Sequence, residues 1–456
     1  MKTIGRYEIK GLLGRGGMGV VYKCRAPFTG RIVALKVLDP RDELLVELVG
    51  RDELKRRFIQ EARIMGSVRH PNVAQVLDFS LDAPRPYFTM EYFAHSLGTV
   101  IGETYRAEEP TRRLTVEKSV HYVRQVLCGL ARLHYAGLVH RDIKPFNILL
   151  TEEDEVKIID FGLSRLRGET SPNARGVNVG SPYYAPPEQE RDPEAVDERA
   201  DLFPTGVMLY RMLTGVIPEP AVVRPQPADR LNPDLDEEWN EFLEKSMAPD
   251  PAKRFESAEA MLEELETVYG RWLREGQRIC RGFSSDQEQR PEKGTETIRT
   301  NPVKVSFKDA RKRFELDRLW RPETFHAHVL RPQGEHIVRD LTTGLVWQRR
   351  GSLFSLNWYE AREYVQRLNR DSYAGHTGWR LPTVAEIVTL LRPPAGRTDL
   401  CLDPVFDKRL RWIWSTDRCS YVSAWLADVE MGYIARQDMA GYARICAVHG
   451  EIRETR

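Results

Sequence analysis

The sequence has no Cys-x-x-Cys pair, no apolar core behind its first methionine, no uncharged apolar run long enough to cross a bilayer and no excess of charge of either sign. Each absence removes a class of protein. The six cysteines (24, 128, 280, 401, 419 and 446) are scattered, which argues against a disulfide framework or a thiolate zinc site and for reduced, buried thiols. The start, Met1-Lys-Thr-Ile-Gly-Arg-Tyr-Glu-Ile-Lys10, is not a secretory signal, and a helical span would need ~20 mostly apolar residues in a row. The expectation is a cytoplasmic chain with no membrane span. Lysine and arginine number 68 against 67 aspartate and glutamate, a formal net charge of +1, so no global field favours nucleic acid or an anionic membrane.

What is present is apolar surface and order. With 456 residues, 41% of them hydrophobic, and nine tryptophans, the chain can fill more than one core. Residues 1 to about 38 alternate apolar and polar positions around Gly14-Arg-Gly-Gly-Met-Gly19, a pattern of strands joined by a tight loop. Helical periodicity follows in 52–68, 116–136, 201–214, 236–247 and 257–273. A strand-rich start and a helix-rich body predict an α+β domain of two lobes over 1–275, dividing near residue 92. Residues 276–325 read as a polar linker with a short charged helix, and 326–452 as a second domain holding six of the nine tryptophans (347, 358, 379, 412, 414 and 425).

The glycine loop alone is weak evidence of nucleotide binding, but Gly14, Gly16 and Gly19 lie between two strand patterns, whereas a dinucleotide fold would want a helix next. Val33-Ala-Leu-Lys36 then offers an amine, and 61−36 = 25 residues later Glu61 lies in a helical run. His140-Arg-Asp142 follows, with Lys144, with Asn147 at 147−142 = 5 and with Asp160-Phe-Gly162 at 160−142 = 18. In this order and spacing the sequence resembles the protein kinase superfamily.

The resemblance implies a phosphoryl-transfer site for ATP and Mg²⁺ or Mn²⁺, whose task is to position the nucleotide and neutralise developing charge. Gly14, Gly16 and Gly19 would bring backbone N–H groups to phosphate oxygens. Lys36, fixed by Glu61, would hold the α and β phosphates. Asp160 and Asn147 would be the hard oxygen ligands of the cation, Asp142 the proton acceptor and Lys144 the partner of the γ-phosphate. Val21, Ala34 and Leu149 match the positions that sandwich adenine, and Met90 lies behind them, ahead of the hinge Glu91-Tyr-Phe93. Singly, each residue also reads as a solvated charge or a turn former; jointly the spacing favours the site.

Downstream, Gly180-Ser-Pro-Tyr-Tyr-Ala-Pro-Pro-Glu188 resembles the family's substrate-docking segment with Pro186 in place of alanine. The resemblance implies that Glu188 pairs with Arg254 and that Asp201 holds the catalytic loop. Pro204 is expected in the first turn of its helix, where N–H groups lack partners. Lys144 and the surrounding Asp142-Ile-Lys-Pro-Phe-Asn147 match serine/threonine enzymes, with Phe146 atypical, and the whole sequence most resembles the bacterial ones, as in Tyr183-Tyr-Ala-Pro-Pro-Glu-Gln189 and Leu209-Tyr-Arg-Met-Leu-Thr-Gly215. Arg141 beside the base suggests activation by phosphate, for which Thr170 and Ser171 are the candidates.

In the second domain, Val338-Arg-Asp-Leu-Thr-Thr-Gly-Leu-Val-Trp347, Gly378-Trp-Arg-Leu-Pro-Thr383 and Ala443-Arg-Ile-Cys-Ala-Val448 resemble bacterial domains of C-type-lectin-like, mixed α/β fold related to formylglycine-generating enzymes. Trp379, Leu381 and Pro382 are expected in its core. Cys401, Cys419 and Cys446 do not make the close, exposed pair an oxidase needs, so the resemblance favours a module that binds a small ligand or a protein partner through loops between 392 and 440. The rival to an active kinase acting on protein serine or threonine is a pseudokinase scaffold.

Overall fold

The alternation of residues 1–38 becomes a sheet in the computed structural model, which describes residues 2–15, 19–40, 46–47, 49–81, 85–104, 106–160, 165–166, 183–192, 196–218, 225–280, 298–393 and 401–450. The chain divides into two units, Met1–Gly282 and Phe283–Arg456. In the first, β1 (Thr3–Ile4), β2 (Tyr7–Arg15), β3 (Gly19–Arg25), β4 (Ile32–Leu38), β5 (Val76–Ser80) and β6 (Tyr87–Glu91) form an antiparallel sheet in the order β1-β2-β3-β4-β6-β5.

Register divides this sheet into two faces. Residues directly opposite each other point the same way, and Cys24 pairs with Val33, and Val37 with both Val20 and Tyr87. Cys24, Val33, Val37 and Tyr87, with Tyr7 and Leu35, build a small apolar core. On the opposite face, Val21 pairs with Lys36, Lys36 with Phe88 and Ala34 with Met90. That face carries the site residues. Gly19 is obligatory for packing: a Cβ there would come within 2.1 Å of the Val37 carbonyl oxygen.

Helix α1 (Arg51–Ser67) buries Leu54, Phe58, Ala62 and Met65, a one-sided stripe, with Glu61 inside it. Phe58 meets Phe88 at 5.2 Å between ring centroids, which seats the helix on β6. After β7 (His95–Ser96) and the short α2 (Leu97–Ile101), the helical lobe is built on α3 (Val116–Tyr135). It is capped by Thr115, whose side chain accepts from the Lys118 N–H, and buries Val120, Val123, Leu127 and Leu130 at helical spacing. Strands β8 (Leu138–Val139), β9 (Ile148–Leu150), β10 (Val156–Ile158) and β11 (Arg165–Leu166) flank the catalytic-loop sequence. Then come α4 (Pro187–Arg191), α5 (Arg199–Thr214), α6 (Ala228–Leu231), α7 (Glu237–Ser246) and α8 (Ala258–Cys280).

Two expectations are corrected here. Pro204 is the sixth residue of α5, beyond the first turn, so the helix forgoes one internal hydrogen bond in a segment where nearly every side chain is buried. Cys128 is half-buried, whereas Cys24, Cys401, Cys419 and Cys446 are buried as expected.

The second unit contains α9 (Phe307–Arg313), β12 (Leu330–Gln333), β13 (Ile337–Asp340), β14 (Val346–Gln348), β15 (Leu356–Asn357), α10 (Trp358–Arg370), α11 (Val384–Leu390), β16 (Trp412–Arg418), β17 (Ser423–Asp428), β18 (Tyr433–Asp438), β19 (Tyr442–Ala443) and β20 (Val448–His449). Its sheets run β12-β13-β14-β20, β15-β19 and β16-β17-β18. Capping boxes at Asn357 and Thr383 start the two main helices. Trp379, Leu381 and Pro382 are buried.

The linker expected over 276–325 gives way to core well before residue 326. Val305, Ala310, Phe314 and Leu316 join the core cluster around Trp425, with Phe314 edge-on to Trp425 at 5.6 Å and Trp320 stacked on it at 5.7 Å. Asp417, fully buried, accepts from Arg299 Nη1 and Nη2 at 3.0 and 2.6 Å and from the Val303 N–H at 2.8 Å. The polar composition of this strap hid four apolar anchors spaced among charges.

Phe314→Ala is therefore expected to destabilise the second unit by about 3–5 kcal/mol, read as a lowered urea midpoint in the full chain. A change within about 0.5 kcal/mol, as for a surface residue, would return the strap to linker. In the first unit Arg254, fully buried, meets Glu188 through two parallel bonds of 2.6 and 2.8 Å. Arg254→Ala leaves the acid unpaired and is expected to cost about 3 kcal/mol in the same measurement.

Candidate active site

The catalytic loop is held from beneath by one carboxylate. Asp201 on α5 is fully buried and accepts from the backbone N–H of His140 at 2.8 Å and of Arg141 at 2.7 Å, with His134 Nε2 at 2.8 Å. Burial opposes its charge, but the His134 contact and these N–H groups outweigh that and keep its carboxyl below the usual range. Arg141 can thus sit at φ 68°, a left-handed conformation a β-carbon disfavours. His140 Nε2 meets the Ile159 carbonyl at 3.0 Å, joining the loop to the strand end that precedes Asp160.

The turn so formed aims three side chains together. Lys144 Nζ donates to Asp142 Oδ2 at 2.7 Å, and Asn147 Nδ2 donates to the same oxygen at 3.0 Å and to the Asp142 carbonyl at 2.8 Å. Burial raises the Asp142 carboxyl above its ordinary value, against the pull of Lys144. Its partner carboxylate behaves oppositely. Asp160, at φ 68°, places Oδ1 3.0 Å from Lys36 Nζ, and that cation holds its carboxyl down to about 2. Lys36 also donates to Glu61 Oε1 at 2.6 Å, and both side chains are nearly inaccessible to water. Desolvation pulls the Lys36 amine down, yet the two carboxylates together raise it, so it is a cation; burial raises the Glu61 carboxyl.

Above these groups, Ala34 and Met90 are buried and Val21 is half-buried on the shared sheet face, with Leu149 half-buried on β9. Gly14 pairs with Val21; a Cβ there would meet no protein atom within 4 Å. Glu91 ends β6, its carboxylate held by Arg31 at 2.6 Å, and Phe93 follows half-buried. Gly16, Phe161, Gly162, Thr170, Ser171 and Ser181 lie outside the described residues. Arg141 donates through Nη2 to the Val196 carbonyl at 3.3 Å, and its own carbonyl accepts from Gln189 at 3.0 Å.

The donor set suits a small divalent cation. Asn147 Nδ2 is committed to Asp142, which leaves its amide oxygen, and Asp160 is an anion with 42% of its side chain exposed. Hard oxygens of this kind fit Mg²⁺ or Mn²⁺.

Reading the sequence missed His134, whose only signal is its place at the end of α3, and it missed a buried cluster under the docking segment. Arg211, fully buried on α5, lies 3.4 Å from Glu103 Oε1, and Tyr184 donates to Glu103 at 3.1 Å. In the second unit, burial pushes the Cys401 and Cys446 thiols up to about 12, which makes them inert as nucleophiles. Among the described residues no group of three or more His, Cys, Asp or Glu could hold a metal, and no helix is long and apolar enough to cross a membrane.

Comparison with known proteins gives the family. A protein kinase domain model matches residues 7–265, and a model described as the Lcl C-terminal domain matches 336–449. The chain is 32% identical over 275 residues to a probable serine/threonine-protein kinase of Clostridium perfringens, covering 58% of this chain and 38% of that protein. It is 34% identical over 274 residues to the serine/threonine-protein kinase PknL of Mycobacterium tuberculosis, covering 58% and 65%. It also resembles the solved PknI kinase domain of that organism at 25% identity and a TM-score of 0.45, covering 59% and 98%. The chain thus spans between 38% and 65% of the length of these two curated relatives. The kinase match takes in more than half of the 456 residues, and the chain belongs to the protein kinase family.

Proposed function

We propose that the chain transfers the γ-phosphoryl group of ATP to serine or threonine hydroxyls of a protein substrate, in bacterial signalling. The observation that carries this reading is the Asp142 carboxylate fixed between Lys144 and Asn147 beside a complete Lys36–Glu61–Asp160 set. Lys36 binds the α and β phosphates and is kept charged and aimed by its two acids. Asp142 accepts the proton of the incoming hydroxyl as its oxygen bonds to the γ-phosphorus. The bond from that phosphorus to the β–γ bridging oxygen breaks, and ADP leaves with the electron pair. Lys144 follows the γ-phosphate and offsets its charge. Asp160 and Asn147 would hold a divalent cation, which supplies further neutralisation of the phosphate oxygens. Val21, Ala34, Leu149 and Met90 enclose the adenine, and Glu91 to Phe93 serve as its hinge. The serine/threonine assignment draws on Lys144 and on the serine/threonine-protein kinases the chain is similar to.

For the second unit, the reading is a module that binds a small ligand or recruits a protein substrate to the kinase. The buried, protonated thiols disfavour oxidase chemistry there. Exposed Tyr421 and Val422, in the turn joining β16 to β17, belong to the loops this reading assigns to contact.

Asp142→Asn should reduce incorporation of labelled phosphate into a generic basic protein by about 10²–10⁴-fold; no incorporation by the unaltered chain would favour the scaffold alternative. Because burial raises the Asp142 carboxyl in the ligand-free protein, the acid limb of the kcat/KM profile should lie above the range of an ordinary carboxylate, since the base works only when ionised. A limb in the ordinary range would remove Asp142 from that role. Deleting 298–456 should alter rate or substrate choice, and unchanged behaviour would make the second unit a passive appendage.

A further inference from the structure

The peptide that carries the proposed base is held by a residue from outside the catalytic loop. Asp201 accepts from the N–H groups of His140 and Arg141, and both bonds lie one peptide plane short of Asp142. The plane that joins Arg141 to Asp142 is held separately, at both of its polar atoms. The Arg141 carbonyl accepts from Gln189 Nε2 at 3.0 Å, and the Asp142 N–H donates to His140 Nδ1 at 3.2 Å. A peptide unit is planar, so one bond to its oxygen and one to its hydrogen fix its rotation. Lys144 and Asn147 then hold the side chain that this peptide presents.

Gln189 reaches that carbonyl from an element with anchors of its own. It is the third residue of α4, and the chain enters α4 through Pro186 and Pro187, whose rings fix φ. Its backbone N–H donates to the Pro186 carbonyl at 3.0 Å. Glu188, the residue before it, is tied to the buried Arg254. At 1% exposure the Gln189 amide is out of reach of water, and a buried carbonyl that loses its donor there is costly to leave unmade. Tyr183 to Pro186, immediately before α4, end the stretch that resembles a substrate-docking segment. The base and the segment expected to receive the substrate thus share one amide.

We propose that Gln189 is a positioning residue for phosphoryl transfer: its amide orients the Arg141–Asp142 peptide, and through it the Asp142 carboxylate, in register with the docking segment. This rests on the kinase reading above and adds a residue that acts on the chemistry only through another. A misplacement of about 1 Å at a reacting group can cost on the order of 10²-fold in rate, so one hydrogen bond to the backbone beside the base can matter to turnover far more than to folding.

The test uses the full chain, labelled ATP and a generic basic protein. Gln189→Met keeps the length and removes the donor, and Gln189→Glu keeps the shape and sets an oxygen against the Arg141 carbonyl. Each should lower kcat by about tenfold or more while equilibrium binding of ATP stays within about twofold, because Lys36, Glu61 and Asp160 keep their contacts. In an Asp142→Asn chain the same substitutions should lower the residual rate by less than about twofold, since the group they act through is already disabled. A purely structural role cannot give that pattern: loss of folded protein lowers the rate by one factor in both backgrounds and takes ATP-binding capacity with it. Equal factors in the two backgrounds, a matching loss of ATP-binding capacity, or a kcat unchanged by Gln189→Met would overturn the inference and leave the kinase reading in place. No transfer by the unaltered chain, or full transfer after Asp142→Asn, would overturn both.

Discussion

A buried carboxylate that must be paid in hydrogen bonds organises the first unit. Asp201 has no access to water, so its charge is tolerable only because His134 and two consecutive backbone N–H groups converge on it. Those two N–H groups belong to His140 and Arg141, and satisfying them fixes the loop in a conformation that a free chain would avoid. The left-handed turn at Arg141 carries the next residue, Asp142, toward Lys144 and Asn147. Take away the acid and the reactive groups would keep their identity but lose their geometry.

Two carboxylates of similar intrinsic acidity are driven apart by what surrounds them. Asp160 faces a lysine and is held as an anion, which suits a ligand of a cation. Asp142 is largely withdrawn from water, with one oxygen shared by a lysine and an amide, and its affinity for a proton rises. A group that must accept a proton benefits from that rise, since an acid too strong would decline it. Glu61 completes the division of labour from within the apolar stripe of α1: its own solvation is poor, so its ion pair with Lys36 depends on the helix being seated on β6 through Phe58 and Phe88.

Much of this was legible from order and spacing. The helical segments coincide with the periodic ones to within a few residues at most ends, because each buries a one-sided stripe that leaves a clear 3.6-residue signal. The exception is α8, which runs to Cys280, beyond the expected 273. The polar constellation was legible because its members recur in a fixed order along the chain. What escaped were contacts between residues far apart with no pattern to announce them: His134 is 67 positions from Asp201, and Glu103 is held by Tyr184, 81 positions away. Arg211 is a lone charge among the apolar residues that follow Gly206 on α5, and that setting is a signal of burial. Pro204 fell later in α5 than expected because that helix begins earlier than its apolar pattern, at Arg199.

The strap of the second unit bears on how such a module can be inherited. The Lcl C-terminal domain match begins at residue 336, yet Phe314 and Trp320 cover Trp425, and Arg299 neutralises Asp417, a buried acid within the matched region. A recombination event that moved only the matched stretch would deliver an indole stripped of its cover and an anion stripped of its cation. The piece that carries its own cover and its own counter-charge is therefore larger than the recognisable one and begins at or before Arg299.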